Sequence, residues 1–194
     1  MRLYIVRHAK AADLSADSCC APQGCGCTGM NADSRRPLTR RGVAQAEFLA
    51  TWIGTADRRP QLILASAAVR AMETATRLHR ALGGACELRI ASELTQDRPV
   101  GDALSLIQWH AQVRDLMFVG HNPQVGELLS VLACGLPPQQ LLMRTGDLVA
   151  LDIRASDPVG SAKIADRQRL DDRAGPDDSL MPASAIRVRA AGGC

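Results

Sequence analysis

Two histidines and two arginines carry the chemical signal in this chain: the adjacent pair Arg7-His8, then Arg70, then His121. A neutral imidazole is an able nucleophile toward phosphorus, and histidine is readily neutral near pH 7. Attack at phosphorus spreads negative charge over three equatorial oxygens, so a histidine nucleophile needs fixed cationic donors around it. Arginine suits that task because its planar fork holds two phosphate oxygens at once. The four residues therefore read as an anion site with nucleophilic imidazole chemistry. They also fit a plainer reading, with Arg7 in a surface ion pair, two satisfied structural histidines and a solvated Arg70. Placement favours the first: His8 and His121 end predicted buried strands, whereas His79 and His110 fall inside predicted helices and suit surface or packing roles.

The elements that must position these groups are legible from periodicity. Leu3-Tyr-Ile-Val6 and Leu116-Met-Phe-Val119 are short apolar runs of the kind buried on both faces of a parallel sheet. Each runs directly into one of the histidines, and ligands of open α/β sheets bind at the carboxyl ends of strands. Between them, Thr39 is a predicted N-cap for a helix ending at Gly54, with Val43, Ala46, Leu49 and Ile53 at helical spacing. Leu62–Ala65 reads as a further buried strand. A second helix from Val69 to Leu82 carries Arg70 in its first turn. Cys86–Ile90 alternates as an edge strand, and a third helix is expected from Asp102 to about Arg114. Asn122-Pro123 reads as the start of a fourth helix, with Asn capping and Pro in the first helical position. Leu148–Ile153 is another strand, and Ser161–Ile164 starts an edge strand. The expected fold is three-layer α/β/α with a mostly parallel central sheet. It forms one domain over 1–170, with a partly ordered tail over 171–194.

Bulk properties narrow the partners. The net charge of +3 is modest and lacks the basic stripe expected of a nucleic-acid binder. Residues 1–60 hold nine Lys/Arg against five Asp/Glu, a local excess that would steer an anionic partner. No apolar run approaches membrane-spanning length and nothing resembles a signal peptide, so no membrane partner and a cytoplasmic location are expected. Seven cysteines cannot all pair within one chain. Cys19, Cys20, Cys25 and Cys27 crowd into a variable loop over 11–37, but C-C-x4-C-x-C is not the usual paired metal-ligand pattern, and a loop with incidental thiols is expected.

These segments together resemble a family. Arg7-His8-Ala9-Lys10 is similar to the signature of the histidine phosphatase superfamily, the group that includes the phosphoglycerate mutases. Pro37-Leu38-Thr39-x-x-Gly42, Ser66-x-x-x-Arg70-Ala71-x-x-Thr74-Ala75 and Val119-Gly120-His121-Asn122-Pro123 resemble its next segments in the same order. The short length, Glu93-Leu94-Thr95 with Gly101-Asp102, and Thr145-Gly146-Asp147 most resemble the SixA-type phosphohistidine phosphatases. Ala9 stands where many members have Gly, and Ala67 where Pro is common.

The resemblance implies a fold like that of phosphoglycerate mutase and a phosphatase that uses neither metal nor cofactor. His8 would be the phosphorylated nucleophile, Arg7 and Arg70 would hold the phosphoryl oxygens, and His121 would complete the pocket. The implied substrate is phosphohistidine on a protein, such as a histidine-containing phosphotransfer domain. The alternatives are small phosphate esters and a non-catalytic phosphoprotein-binding module. Glu93 is the one candidate considered for a general acid, with a surface carboxylate as its other reading.

Overall fold

The computed structural model describes residues 1–13, 29–135 and 141–170. Most of the cysteine-bearing loop and the tail 171–194 lie outside them. A six-stranded sheet runs through the molecule in the order β3-β2-β4-β1-β5-β6. Its strands are β1 (Arg2–Arg7), β2 (Leu62–Ala65), β3 (Glu87–Ile90), β4 (Asp115–Gly120), β5 (Leu148–Asp152) and β6 (Lys163–Gln168). β3, β2, β4 and β1 pair in parallel; β5 is antiparallel to both β1 and β6. The helices are α1 (Gly29–Ser34), α2 (Arg40–Thr55), α3 (Val69–Ala81), α4 (Val100–Trp109) and α5 (Gln124–Cys134).

Side chains alternate across a strand, so each central strand feeds two cores. Leu3, Ile5, Leu116 and Phe118 pack with Leu106 and Ile107 of α4 and Leu128 and Leu132 of α5. Tyr4, Val6, Met117 and Val119 pack on the other face with Leu49 and Ile53 of α2 and Ala75 and Leu78 of α3. This is the expected three-layer arrangement. It explains why β1 and β4 are continuous apolar runs: both of their faces are covered. Among the described residues, no helix is long and apolar enough to cross a membrane.

Local expectations hold where a side chain enforces them. Thr39 caps α2, its Oγ1 accepting the Gly42 N–H at 3.0 Å. β3 lies at the sheet edge. Others need correction. α2 runs one residue past Gly54, and α4 spans Val100–Trp109 instead of reaching Arg114. The chain turns after His110, with Val113 N–H on the His110 carbonyl, to enter β4 at Asp115. Asn122 does not cap α5. Its Nδ2 donates instead to the Met143 carbonyl at 2.9 Å, and Pro123 precedes the helix in helical backbone geometry. β6 begins at Lys163.

The turn after β1 is tied to the start of α2. Lys10 O accepts the Thr39 N–H at 2.9 Å and the Thr39 hydroxyl at 3.1 Å. This carbonyl lies so close to Gly42 that a Cβ there would stand 2.0 Å from it. Only glycine permits that approach. Gly42→Ala is therefore expected to destabilise the fold by about 1–3 kcal/mol, the usual cost of overpacking, and to lower activity by displacing the backbone after His8. Thermal denaturation measures the first; an unchanged Tm would show that this approach is not constrained.

Candidate active site

Parallel pairing sets Arg7 opposite Gly120, so the next residue on each strand, His8 or His121, leaves the sheet at the same level. Their rings lie 4.9 Å apart between centroids and tilt by 54°. Arg70 arrives from the first turn of α3, beyond the end of β2, which pairs with β4. All four predicted residues thus converge on one cavity of about 550 Å³.

The backbone around His8 is held rung by rung. Arg7 N–H donates to Asp147 O, His8 N–H to Gly120 O, Ala9 N–H to Thr74 Oγ1 and Lys10 N–H to Gln45 Oε1. Thr74 in turn donates its hydroxyl to Arg70 O at 2.7 Å, linking the His8 turn to the helix that bears Arg70. Gly146 has φ +75°, and a Cβ there would meet Gln45 at 2.9 Å. The turn before β5 therefore needs glycine to close against this assembly.

The His8 ring has a defined tautomer. Its Nδ1 lies 2.8 Å from the Ala9 carbonyl, which can only accept, so Nδ1 carries the proton. Nε2 is then a lone pair, and Arg70 Nε donates to it at 3.3 Å. Burial, followed by the nearby charges of Arg70, Arg7 and Arg36, lowers the His8 pKa to about 4, despite the opposing bond to Ala9. Burial first, then His8, Arg70 and Arg7, lowers that of His121 to about 3. Both imidazoles are neutral at pH 7.

The arginines are anchored on their far sides. Arg7 Nη1 donates to the Met143 carbonyl at 2.7 Å, the same oxygen that takes Asn122, while its buried Nε makes no hydrogen bond. Arg70 is 2% exposed. Its Nη1 donates to Asp33 O at 2.6 Å, and its Nη2 to Asp33 Oδ2 and to Gln96 Oε1, each at 2.8 Å. A buried guanidinium needs such compensation. Asp33 also pairs with Arg36, and the hydrogen bonds and charges of Arg36 and Arg70 hold its carboxyl below the usual range although burial opposes this.

Sequence reasoning missed Asp33, Gln96, Gln45 and the Met143 carbonyl. Asp33 sits in the compositionally plain segment before Pro37 and offers no spacing signal; a main-chain oxygen offers none at all. Glu93 is not part of the cavity wall, and its carboxylate takes the Ser92 hydroxyl at 3.2 Å. Lys10, Arg36, Arg41, Arg144 and Arg169 line the cavity too, and Asp13 is the one carboxylate residue doing so among the described residues.

A family model, the histidine phosphatase superfamily (branch 1), matches residues 3–130. The phosphohistidine phosphatase SixA of Escherichia coli (strain K12) is 27% identical over 154 residues, covering 78% of this chain and 86% of that protein. A structure from Agrobacterium tumefaciens, described as a proposed phosphohistidine phosphatase SixA, aligns with a TM-score of 0.65 and 29% identity over 86% of this chain and 96% of that one. The alpha-ribazole phosphatase of Shigella flexneri shares the fold, with a TM-score of 0.59 and 18% identity over 84% and 95%.

Two histidines buried neutral make the fold acid-sensitive. Their folded pKa values lie below the unfolded value of about 6.5, so the unfolded chain binds more protons at intermediate pH. The stability they leave intact above pH 6.5 is lost as pH falls toward 4 and 3. Thermal denaturation between pH 7 and 4 should show Tm falling, with a flatter slope in the His8→Gln/His121→Gln variant. Equal slopes would contradict the assignment of both rings as buried neutral groups.

Proposed function

Because the chain belongs to the histidine phosphatase superfamily and is a phosphatase, we propose that it hydrolyses phosphohistidine on a protein through a covalent intermediate on His8. The observation that carries this is the His8–Ala9 hydrogen bond, which leaves Nε2 unprotonated inside a cradle of two arginines and a second histidine. In the first step the Nε2 lone pair forms a bond to phosphorus while the bond to the donor nitrogen breaks. The donor imidazole keeps the electron pair of that bond and leaves neutral, protonated at its other nitrogen. His8 becomes a phosphoimidazolium whose Nδ1–H remains on the Ala9 carbonyl. In the second step a water oxygen bonds to phosphorus, Nε2 takes back its electron pair, and phosphate departs. Arg7, Arg70 and His121 stabilise the equatorial oxygens in both steps.

Support for a P–N bond as the substrate comes from the leaving group. An ester oxygen leaves poorly unless an acid protonates it, whereas a protonated imidazole leaves without help. Glu93 is turned to Ser92 and Asp33 is engaged by two arginines, which leaves Asp13 as the one carboxylate residue lining the cavity among the described residues. The SixA likeness supports the same reading. The protein-borne substrate, a histidine-containing phosphotransfer domain being the kind expected, also suits the cationic cavity lining. A second reading, small phosphate esters, draws on the cavity volume, which exceeds what a phosphoryl group fills.

The discriminating measurement is kcat/KM over a phosphohistidine protein, a phosphoserine peptide and small phosphate esters. The phosphohistidine protein is expected to lead by at least about tenfold, or 1.4 kcal/mol in transition-state stabilisation. A tenfold preference for small esters would remove the protein substrate and leave the His8 chemistry standing. His8→Ala should abolish turnover on every substrate.

A further inference from the structure

His121 is 3% exposed, and its two ring nitrogens have unequal surroundings. Nε2 lies 2.8 Å from the Ser66 hydroxyl, whereas Nδ1 is buried with no hydrogen-bond partner. Ser66 is fully buried at the end of β2. Its backbone N–H is spent on Val119 O, continuing the pairing with β4, which fixes the hydroxyl beside the ring that follows that strand. Ser66 Oγ accepts the Ala68 N–H at 3.3 Å, so one lone pair is used and the hydroxyl proton still needs an acceptor. Within the described residues, the acceptor the hydroxyl meets is His121 Nε2. If the ring instead donated from Nε2, a buried hydroxyl proton would be stranded without an acceptor, which burial disfavours. The neutral ring must then carry its proton on Nδ1.

We propose that Ser66 is a positioning residue that locks His121 in the Nδ1–H tautomer, so that the second histidine presents a hydrogen-bond donor, not a lone pair, to the phosphoryl oxygens. The inference rests on the cavity being a phosphoryl site. The opposite tautomer would turn a lone pair toward a dianion and repel it. With the lock in place, a neutral ring stabilises the transferring group by donation alone, without bringing another positive charge beside Arg7 and Arg70. Ser66 acts through His121 and touches no reacting atom. The same logic gives the two histidines opposite proton placements relative to their neighbours: the Ala9 carbonyl leaves His8 Nε2 an unprotonated lone pair, and the Ser66 hydroxyl leaves the proton of His121 on Nδ1.

The test begins with the wild-type protein, labelled with ¹⁵N-histidine and studied by long-range ¹H–¹⁵N correlation at pH 7. His121 should show a protonated Nδ1 and a bare Nε2; a proton on Nε2 overturns the proposal outright. Ser66→Ala should shift His121 toward the other tautomer, weaken inhibition by inorganic phosphate about tenfold, and lower kcat/KM on p-nitrophenyl phosphate about 10- to 100-fold, less than the loss of a direct oxyanion donor. Ser66→Thr, which keeps the hydroxyl, should restore the tautomer and most of the activity. An altered tautomer with phosphate inhibition and turnover unchanged would equally overturn the assignment. The proposed covalent role of His8 fails on a separate measurement, undiminished turnover by His8→Ala, which no result at Ser66 can imitate.

Discussion

Arg7 meets Gly120 on the last rung of the parallel β1–β4 pairing, and from that rung two imidazoles enter the same cavity side by side. The register is enforced from below. Leu3 and Ile5 belong to one core, Tyr4 and Val6 to the other, and a slip of one residue would exchange them. The apolar alternation that folds the sheet therefore also sets the separation of the two rings. β2 pairs with β4 on its other side, so Ser66 and the first turn of α3 are brought to the same edge. Three adjacent parallel strands thus deliver His8, His121, Ser66 and Arg70 to one place.

Gathering two imidazoles and two guanidiniums in a buried site is electrostatically costly, and the structure meets that cost by dividing the roles. The imidazoles stay neutral, because burial and the arginine charges disfavour their protonated forms. The arginines stay charged and are held from behind, Arg70 by Asp33 and Gln96, Arg7 by the Met143 carbonyl. Burial lowers the Arg7 pKa and the charge of Asp147 opposes this. Asp147 is itself fully buried and takes Arg167 at 3.1 Å, so the carboxylate that balances Arg7 is tied to the last strand of the sheet. Among the buried polar atoms with no hydrogen-bond partner in the described residues, Arg7 Nε, His121 Nδ1 and Asn122 Oδ1 belong to residues that line the cavity beside His8. In the proposed reading, the two donors among them, Arg7 Nε and His121 Nδ1, serve an anion with several oxygens.

The sheet and the convergence of Arg7, His8, Arg70 and His121 on one cavity were legible because each depends on short-range pattern. β1 and β4 are unbroken apolar runs ending in histidine, and Arg70 begins a helix whose buried face repeats cleanly. What the residues did not reveal depends on contacts between distant segments. Asn122 looks like a helix cap because Asn before Pro usually is one, yet a carbonyl 21 residues later captures its side chain. Asp33 reaches Arg70 from a segment with no periodicity. Ser66 was visible as part of a motif, but the proton accounting that gives it a role requires the distance to His121. Glu93 has the right chemistry in nearly the right stretch, but it lies in a 3-10 turn over Ser92–Leu94 and outside the cavity wall.

In the proposed reaction a neutral His8, with its proton held on Nδ1 by the Ala9 carbonyl, attacks phosphorus through Nε2. Rapid quench with a radiolabelled phosphodonor, followed by site mapping of the trapped protein, tests it directly. An acid-labile, base-stable phosphoryl group on Nε2 of His8, forming and decaying fast enough to account for turnover, is the predicted result. Steady turnover with no label on His8, or label on Nδ1 or on His121, would contradict it.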